Sequence, residues 1–416
     1  MNLLLLTHYY PPEGGAAQHR WSTLVGHLVS EGDTVRVVTP APHYPLGHLL
    51  PGHEHLRSGT THEGPHGETV HRVAFRPYDS SVRSRMLDEA TVARDAVRTV
   101  RRGFDGWRPD VVVATVPSLP MAWAGARAAR MFGVPFVLDL RDAWPDLIFF
   151  AQEWDLPTSR VRSRARAAVR VALNGVGSAL TRQQRRADAV VATTESFAEV
   201  LRSRSVGSVH VVRNAAHEVP GYAQHVVHRE SGPLHVLYAG TIGRAHGLGT
   251  AVRAAALARE RGVDVRLRFL GAGADLGHLR RLAEELRAPV EFLDPVPRRL
   301  MGPHYAWADT ALVSLRPWEA LELAVPSKLY ELMGLGLHVS AVVSGEAGQI
   351  VEQTGAGTLT APGDVDQLAR AWASLHADRS LLDVSDRARD WAREHADATR
   401  LGEAYRTLLQ SMRARV

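Results

Sequence analysis

Short apolar runs recur along the whole chain and alternate with segments of helical periodicity. Examples are NLLLLT at residues 2–7 and DVVVAT at residues 110–115. Near-continuous runs of valine, leucine and isoleucine, separated by helices, are typical of parallel strands that are covered on both faces. The pattern therefore predicts an α/β protein built from doubly wound parallel sheets.

The alternation occurs twice, and residues 214–233 between the two series lose periodicity and gain Gly, Pro and His, as interdomain connections do. At roughly 150 residues per domain, a chain of 416 residues has room for two or three units. We predict two Rossmann-like domains, 1–217 and 218–395. We also predict a C-terminal helix at residues 396–416, which could pack back on the N-terminal domain. Such sheets bind ligands at the carboxyl ends of their strands, so the active site is expected in a cleft between the domains.

The first series has strands at 2–7, 34–39, 110–115, 135–140 and 189–193 and helices at 16–30 and 118–132. The second has strands at 234–240, 265–271, 290–294, 310–315, 338–343 and 357–361 and helices at 248–262 and 275–287 and from 326 and 364.

Composition narrows the class of protein. With 45% hydrophobic and 22% charged residues the chain is an ordinary globular protein. The absence of cysteine excludes a disulfide framework and a thiol nucleophile and fits a reducing, cytoplasmic setting. We expect neither a signal peptide nor a membrane span. The net charge of +5 is too small to choose among nucleic acid, anionic lipid and phosphorylated ligands.

Lys328 is the only lysine among the 49 basic residues. It lies in VPSKLYELMGLG, where Pro326 or Ser327 suits the start of a helix. Free N–H groups at a helix start favour an anion, and Lys328 adds a full positive charge for a phosphate. Glu331, one turn later, could accept hydrogen bonds from ribose hydroxyls. The alternative is a surface helix with an incidental Lys and Glu.

A glycine-rich turn at residues 238–250 leaves a predicted strand and opens a helix. Gly240 and Gly243 permit close backbone approach to a diphosphate, and Thr241 and Arg244 offer donors. The spacing differs from the dinucleotide-binding pattern. A purely structural turn is the alternative.

Two segments of the first half are candidates for the cleft. The segment DLRDAWPDL follows a buried strand, so Arg141 and Asp142 stand where cleft chemistry is expected, with an internal Arg–Asp pair as the alternative. The loop at residues 9–20 has glycines that could approach a ligand or only form a tight turn. Its candidate acceptor or cleft residues are Glu13, Gly14, Gly15 and His19.

Seven histidines fall between His43 and His71. Their spacing is irregular and the stretch is rich in Gly and Pro, so we predict a mobile loop and no metal site. A second unusual segment, 158–187, is rich in arginine and includes Arg162, Arg164 and Arg166. It is interpreted as a basic amphipathic helix, either solvated or in peripheral contact with an anionic membrane.

Together these motifs resemble glycosyltransferase family 4, the retaining sugar-nucleotide transferases of GT-B fold, and in particular a bacterial branch with RDxWP and PSKLxE motifs. The resemblance covers almost the whole chain. It implies two Rossmann-like domains facing across a cleft, with Lys328, Arg141 and Asp142 as catalytic residues. The motifs that carry it are YYPPEGGAA, PHYPLGH, PFVLDLRDAWPD, YAGTIGRAHGL and PSKLYELMGLG.

The chain departs from the family pattern at several positions. The broader family usually has Arg and Lys where this chain has Thr241 and His246, and a first glutamate where it has Leu323. Arg141 replaces a histidine, as in the RDxWP branch, and His338 stands where that branch usually has proline. Recognition of the diphosphate would therefore rely on Lys328, Arg244 and helix N–H groups.

The resemblance implies a nucleotide sugar donor, with UDP as the expected nucleotide, and a small-molecule or lipid-linked hydroxyl acceptor. It implies no metal, no cofactor, no enzyme nucleophile and no nucleic-acid partner. The expected reaction is hexosyl or N-acetylhexosaminyl transfer in polysaccharide, glycolipid or natural-product biosynthesis. Two alternatives stay open, a sugar-nucleotide 2-epimerase of the same fold and a non-catalytic scaffold of a polysaccharide complex.

Overall fold

The computed structural model describes residues 1–79, 81–150, 163–216, 219, 222 and 231–414. It divides into two compact units. Unit 1 comprises Met1–Asn214 and Ala398–Val416, and unit 2 comprises Ala215–Asp397. Each unit contains one sheet, and helices connect most of its successive strands. The prediction of an α/β protein with two Rossmann-like units is confirmed.

The sheet of unit 1 has eight strands within the described residues, in the order β3-β4-β2-β1-β5-β6-β7-β8. All neighbours pair in parallel except β3 and β4, which are antiparallel. The chain reverses its direction across the sheet at β1, which pairs with both β2 and β5. The strands are β1 Asn2–Leu6, β2 Thr34–Pro40, β3 Thr61–Glu63, β4 Thr69–Val73, β5 Val111–Val116, β6 Phe136–Leu140, β7 Ala189–Ala192 and β8 Val209–Val211. The helices are α1 Ala16–Ser30, α2 Val82–Arg102, α3 Leu119–Phe132, α4 Leu147–Phe150, α5 Ser163–Arg186 and α6 Glu195–Ser203.

The sheet of unit 2 is parallel throughout its described strands, in the order β11-β10-β9-β12-β13-β14. The strands are β9 Leu234–Ala239, β10 Val265–Leu270, β11 Val290–Leu293, β12 Thr310–Ser314, β13 Val339–Val342 and β14 Gly357–Thr360. The helices are α7 Gly249–Glu260, α8 Leu276–Glu285, α9 Gly302–Trp307, α10 Glu319–Glu322, α11 Ser327–Leu335, α12 Gly345–Thr354, α13 Val365–Ala377 and α14 Asp386–His395.

Burial explains why the apolar runs form central strands. Leu3, Leu4, Leu5 and Leu6 of β1 are all 0% exposed, although successive side chains point to opposite faces of the sheet. A strand that is buried on both faces requires helices on both faces. The same runs that predict the strands therefore also position the helices between them.

The C-terminal helix α15, Ala398–Arg413, packs on α1 within unit 1. The ring of Tyr405 meets the edge of Trp21 at 5.9 Å, and Arg406 Nε lies 2.9 Å from Asp33 Oδ2. A Cβ on Gly402 would lie 2.3 Å from the His27 ring, so glycine allows the two helices to approach closely. Both ends of the chain's described part thus belong to unit 1.

The expectation of a mobile loop at residues 43–71 is wrong for part of that stretch. Thr61–Glu63 and Thr69–Val73 are strands, and β4 pairs with β2 at the side of the sheet. Val70 and Val73 are buried, which accounts for the pairing of a segment that is otherwise polar. His43 is also fully buried. His71 and Arg72, which lie between Val70 and Val73, conceal the apolar pattern of β4.

Candidate active site

Helix α11 begins at Ser327, directly after Pro326, and no side chain caps it. The first N–H groups of a helix have no partner within the helix, so this end presents unpaired donors. In the first turn, Lys328 Nζ lies 3.5 Å from the ring centroid of Tyr238. A Cβ on Gly240 would lie 3.0 Å from the same Nζ. The structure thus brings the lysine, the helix start and the glycine turn of β9 together.

The positive charge of Lys328 is not balanced by a neighbouring carboxylate within the described residues. No carboxylate in the described part of the chain forms a salt bridge with it. Burial lowers the pKa of Lys328 to about 7, against the opposing effect of Glu331. Burial and the nearby Lys328 also lower the pKa of His246 to about 4, so this imidazole is neutral at physiological pH. An anionic ligand at this position would restore the lysine's charge.

The glycine turn after β9 is packed against the loop that follows β10. Gly240 N donates to Leu270 O at 2.9 Å and Ile242 N donates to Ala272 O at 2.8 Å. A Cβ on Gly271 would lie 1.9 Å from Gly240 O, so only glycine allows this approach. The N–H groups of Gly240 and Ile242 therefore donate to backbone carbonyl groups of unit 2 and not to a ligand.

Thr241, Gly243 and Arg244 were expected to contact a diphosphate, and they lie in the remainder of this turn. Gly243 N lies 3.3 Å from His246 Nδ1. The Thr241 side chain is exposed, and its carbonyl accepts from the Tyr238 hydroxyl at 2.6 Å. Arg244 starts a 3-10 turn, and Arg316 Nε donates to Arg244 O at 2.6 Å. Hydrogen bonds within unit 2 therefore hold this turn in place beside Lys328.

Glu331 is buried one turn along α11 and already has two protein partners. Tyr305 donates its hydroxyl to Oε1, and Arg298 Nη2 lies 2.7 Å from Oε2. Leu323, which stands in place of the family's first glutamate, follows α10. The carboxylate of the adjacent Glu322 accepts from Ser344 Oγ at 3.4 Å.

The three carboxylates of DLRDAWPDL have different partners. Asp139 is fully buried and forms a salt bridge with Arg20 at 2.8 Å. Arg20 also donates from Nη1 to the carbonyl groups of Val212 and Arg213, both at 2.9 Å. Asp146 accepts two hydrogen bonds from Arg204, at 2.9 and 2.7 Å. Asp139 and Asp146 therefore hold unit 1 together, which leaves Asp142 as the candidate for chemistry.

Arg141 and Asp142 follow β6 at the end of its strand, and each affects the other's protonation. Burial lowers the pKa of Arg141, and Asp142 opposes this shift. Burial raises the pKa of Asp142, with Arg141 opposing. Arg141 Nε is buried and has no hydrogen-bond partner in the described part of the chain.

The carboxylate of Glu13 makes hydrogen bonds inside unit 1 and so has a structural role. Its buried carboxylate accepts from the N–H groups of His43 and Tyr44, at 2.8 and 2.9 Å, and from Gln18 Nε2 at 3.1 Å. Gly15 precedes α1 with φ +156, and a Cβ there would lie 2.6 Å from Gln18 Oε1. Of the other candidates in this loop, Gly14 and His19 are exposed.

A buried group of His8, His43 and Asp88 was not found from the sequence. His43 Nε2 lies 3.0 Å and His8 Nε2 3.4 Å from Asp88 Oδ2. Although burial opposes it, hydrogen bonds from His43 and His8 lower the pKa of Asp88. These are metal-ligand residue types within 4.8 Å of one another. Their direct contacts also show that each polar group of this set has a partner within it. Asp88 lies on α2, a helix that our sequence analysis did not predict.

Comparisons with known proteins identify the family of this chain. A family model described as glycosyl transferases group 1 matches residues 233–378, and one described as a glycosyl transferase 4-like domain matches residues 14–215. The chain is 25% identical over 379 residues to the putative colanic acid biosynthesis glycosyl transferase WcaI of Escherichia coli K12, covering 85% of this chain and 86% of that protein.

Solved structures match over nearly the full length. Sucrose-phosphate synthase of Thermosynechococcus elongatus superposes with a TM-score of 0.73 at 16% identity, covering 99% of both chains. HepE of Anabaena, solved with UDP and glucose, superposes with a TM-score of 0.63 at 17% identity, covering 98% of this chain and 99% of the other. Among the described helices, none is both long and apolar enough to cross a membrane.

Proposed function

This chain belongs to the family 4 glycosyltransferases and has their GT-B fold, and we propose that it is a retaining enzyme that uses a UDP-linked hexose or N-acetylhexosamine. The observation that carries the proposal is Lys328 in the first turn of α11, beside Gly240. An otherwise unpaired ammonium next to uncapped helix N–H groups is suited to a diphosphate.

The donor would be bound by unit 2. Lys328 and the N–H groups at the start of α11 would contact the diphosphate, with Thr241 and Arg244 at the neighbouring turn. Glu331 would accept from the ribose hydroxyls through lone pairs that Arg298 and Tyr305 leave available. The complex of HepE with UDP supports the choice of nucleotide.

In the proposed reaction, the bond from the sugar's anomeric carbon to the diphosphate breaks, and the bond to the acceptor oxygen forms on the same face. The acceptor's proton passes to an oxygen of the leaving phosphate. Charge accumulates on the diphosphate in the transition state, where Lys328 and fixed N–H dipoles stabilise it. Arg141 and Asp142 would position the acceptor in unit 1.

We propose that the transfer is metal-independent, because Lys328, Arg244 and the helix start can supply the positive charge. Turnover should be unchanged after dialysis against EDTA. Activity that is lost on chelation and restored by one divalent ion would contradict this proposal.

The acceptor would belong to polysaccharide, glycolipid or natural-product biosynthesis. The enzyme would act in the cytoplasm, and the arginine-rich segment supports peripheral contact with an anionic membrane. Arg162 lies outside the described residues, and the side chains of Arg164 and Arg166 are likewise not described. Further along α5, however, Arg182 and Arg186 line a groove of about 690 Å³ in unit 1, with Trp123 and Arg130 on α3. Each basic residue near an anionic bilayer can contribute about 1 kcal/mol.

Vesicle flotation at low salt tests this contact. The chain should float with anionic vesicles and not with neutral ones, and charge reversal at Arg162, Arg164 and Arg166 should abolish flotation. Absence of flotation, or flotation that survives charge reversal, would favour a soluble acceptor.

Donor turnover with and without acceptor tests the proposed function against its alternatives. A transferase forms a glycoside whose yield depends on acceptor and whose anomeric configuration matches the donor. A 2-epimerase would convert the donor without acceptor, and a scaffold would leave it intact. A screen of sugar nucleotides by thermal shift would first identify the donor.

A further inference from the structure

The carboxylate of Glu331 is held at both oxygens by side chains from two other segments of unit 2. The Tyr305 hydroxyl donates to Oε1 from helix α9, and Arg298 Nη2 lies 2.7 Å from Oε2. Arg298 begins the 3-10 turn Arg298–Leu300, which follows β11. Glu331 itself lies on α11. Three segments that are separate in the sequence therefore meet at one carboxylate.

The two contacts fix the orientation of this carboxylate. The last torsion of a glutamate side chain has a broad energy profile, so a carboxylate that is held at one oxygen can still rotate. A donor on each oxygen removes that freedom. Burial and Glu331 raise the pKa of Tyr305 well above its ordinary value, so the phenol stays protonated and remains a donor.

The same contacts leave one acceptor position on each oxygen. An ionised carboxylate has about four lone-pair positions, two on each oxygen. Tyr305 uses one position on Oε1, and Arg298 uses one on Oε2. One position per oxygen is left, which is the number needed to accept from two neighbouring hydroxyl groups of a ribose ring.

A buried glutamate also needs partners for stability, and a purely structural ion pair would account for the contacts alone. The accessibility of the group favours a ligand. The side chain of Glu331 keeps 11% of its surface exposed, and that of Arg298 keeps 32%. The paired carboxylate can therefore still be reached from solvent, one helical turn beyond Lys328.

We propose that Tyr305 and Arg298 are positioning residues, which hold the Glu331 carboxylate so that it accepts from both the 2′ and the 3′ hydroxyl of a nucleotide ribose. The inference rests on the proposed function, in which Glu331 contacts the ribose. It assigns the preference for a nucleotide with this pair of hydroxyl groups to two residues that act through Glu331.

The chain offers a matched control for each positioning residue. The ring of Tyr222 meets that of Tyr305 edge to face, with centroids 6.2 Å apart. The Tyr222 hydroxyl is buried and has no hydrogen-bond partner in the described residues, so of these two phenols only Tyr305 donates to Glu331. Arg299 is the exposed neighbour of Arg298 in the same 3-10 turn.

The affinities of the full-length chain for UDP and for 2′,3′-dideoxy-UDP, measured by calorimetry, test the inference. The unchanged chain should bind UDP at least about tenfold more tightly, the scale of a hydrogen bond to a charged group. Tyr305→Phe and Arg298→Gln should each reduce this ratio about three- to tenfold, the scale of releasing one ordered side chain. They should weaken only the binding of UDP. Tyr222→Phe and Arg299→Gln should keep the original ratio.

A merely structural role would affect both nucleotides alike, so equal weakening of UDP and dideoxy-UDP in Tyr305→Phe and Arg298→Gln would overturn the inference. If Tyr305→Phe fails to fold, Arg298→Gln carries the same test. Glu331→Ala separates this inference from the proposed function. A ratio that is lost in Glu331→Ala but kept in both positioning variants would refute only the positioning role. An unchanged ratio in Glu331→Ala would contradict the ribose contact itself.

Discussion

Buried cations have opposite surroundings in the two units. In unit 1, Arg20 is enclosed by the Asp139 carboxylate and backbone carbonyl groups. In unit 2, Lys328 lies on the ring of Tyr238 without a carboxylate partner in the described residues. A paired buried charge maintains the fold, whereas an unpaired one is stabilised only when a ligand of opposite charge binds. The difference separates the residues that build the protein from those we assign to its substrate.

The largest expected effect is on stability in unit 1. Arg20→Met should lower the free energy of unfolding by about 3–5 kcal/mol, because Asp139 is left buried and uncompensated. Equilibrium urea unfolding measures this loss. Lys328→Met is the matched control and should leave stability unchanged or raise it, since it removes a desolvated charge. If both variants lose equal stability, the contrast between the two units is wrong.

The second effect is on turnover. Lys328→Ala should reduce the transfer rate at least ~100-fold, the scale of losing one charge-stabilising donor in a transition state. Lys328→Arg should also be impaired, because a forked guanidinium does not replace a compact ammonium. Arg253→Ala, at an exposed cation on α7, is the control. A folded Lys328→Ala variant with near-normal turnover would remove Lys328 from the phosphate site.

The third effect is on nucleotide affinity. Glu331→Ala should weaken binding of both UDP and the UDP-sugar by roughly 1.5–3 kcal/mol, because the proposed contact is to ribose. Calorimetry with UDP measures the loss, and Glu284→Ala at an exposed position of α8 serves as control. Unchanged UDP affinity would mean that Glu331 only anchors Arg298 and Tyr305.

The smallest effect is a pH dependence of UDP binding. The free protein loses the Lys328 proton above about pH 7, whereas the complex holds it to higher pH because the diphosphate stabilises the charge. Affinity should therefore fall with rising pH, by up to about tenfold per unit between pH 7.5 and 8.5. Lys328→Arg stays charged and should lack this dependence. Parallel pH profiles for the two proteins would rule out Lys328 as the titrating group.

The apolar runs predicted the central strands to within about one residue at each end, because a strand covered on both faces tolerates few polar residues. Helix α2 was not predicted, although Val92, Ala96 and Val100 recur at helical spacing and are buried. Its many charged residues concealed that stripe. Strand β4 was missed for a related reason, since its polar residues Thr69, His71 and Arg72 interrupt the apolar pattern.

By itself, the sequence determined the α/β class, the two-unit organisation and the proposed phosphate site at Lys328, because burial and helix starts act on neighbouring residues. The tertiary structure decided which charged groups are available for a substrate. Asp139, Asp142 and Asp146 lie close together in the sequence, yet Arg20 and Arg204 engage two of them from distant segments. Asp88 on α2 is likewise contacted by His8 and His43, which follow β1 and β2. Pairing depends on residues far apart in the chain, so folding alone determines which groups stay unpaired.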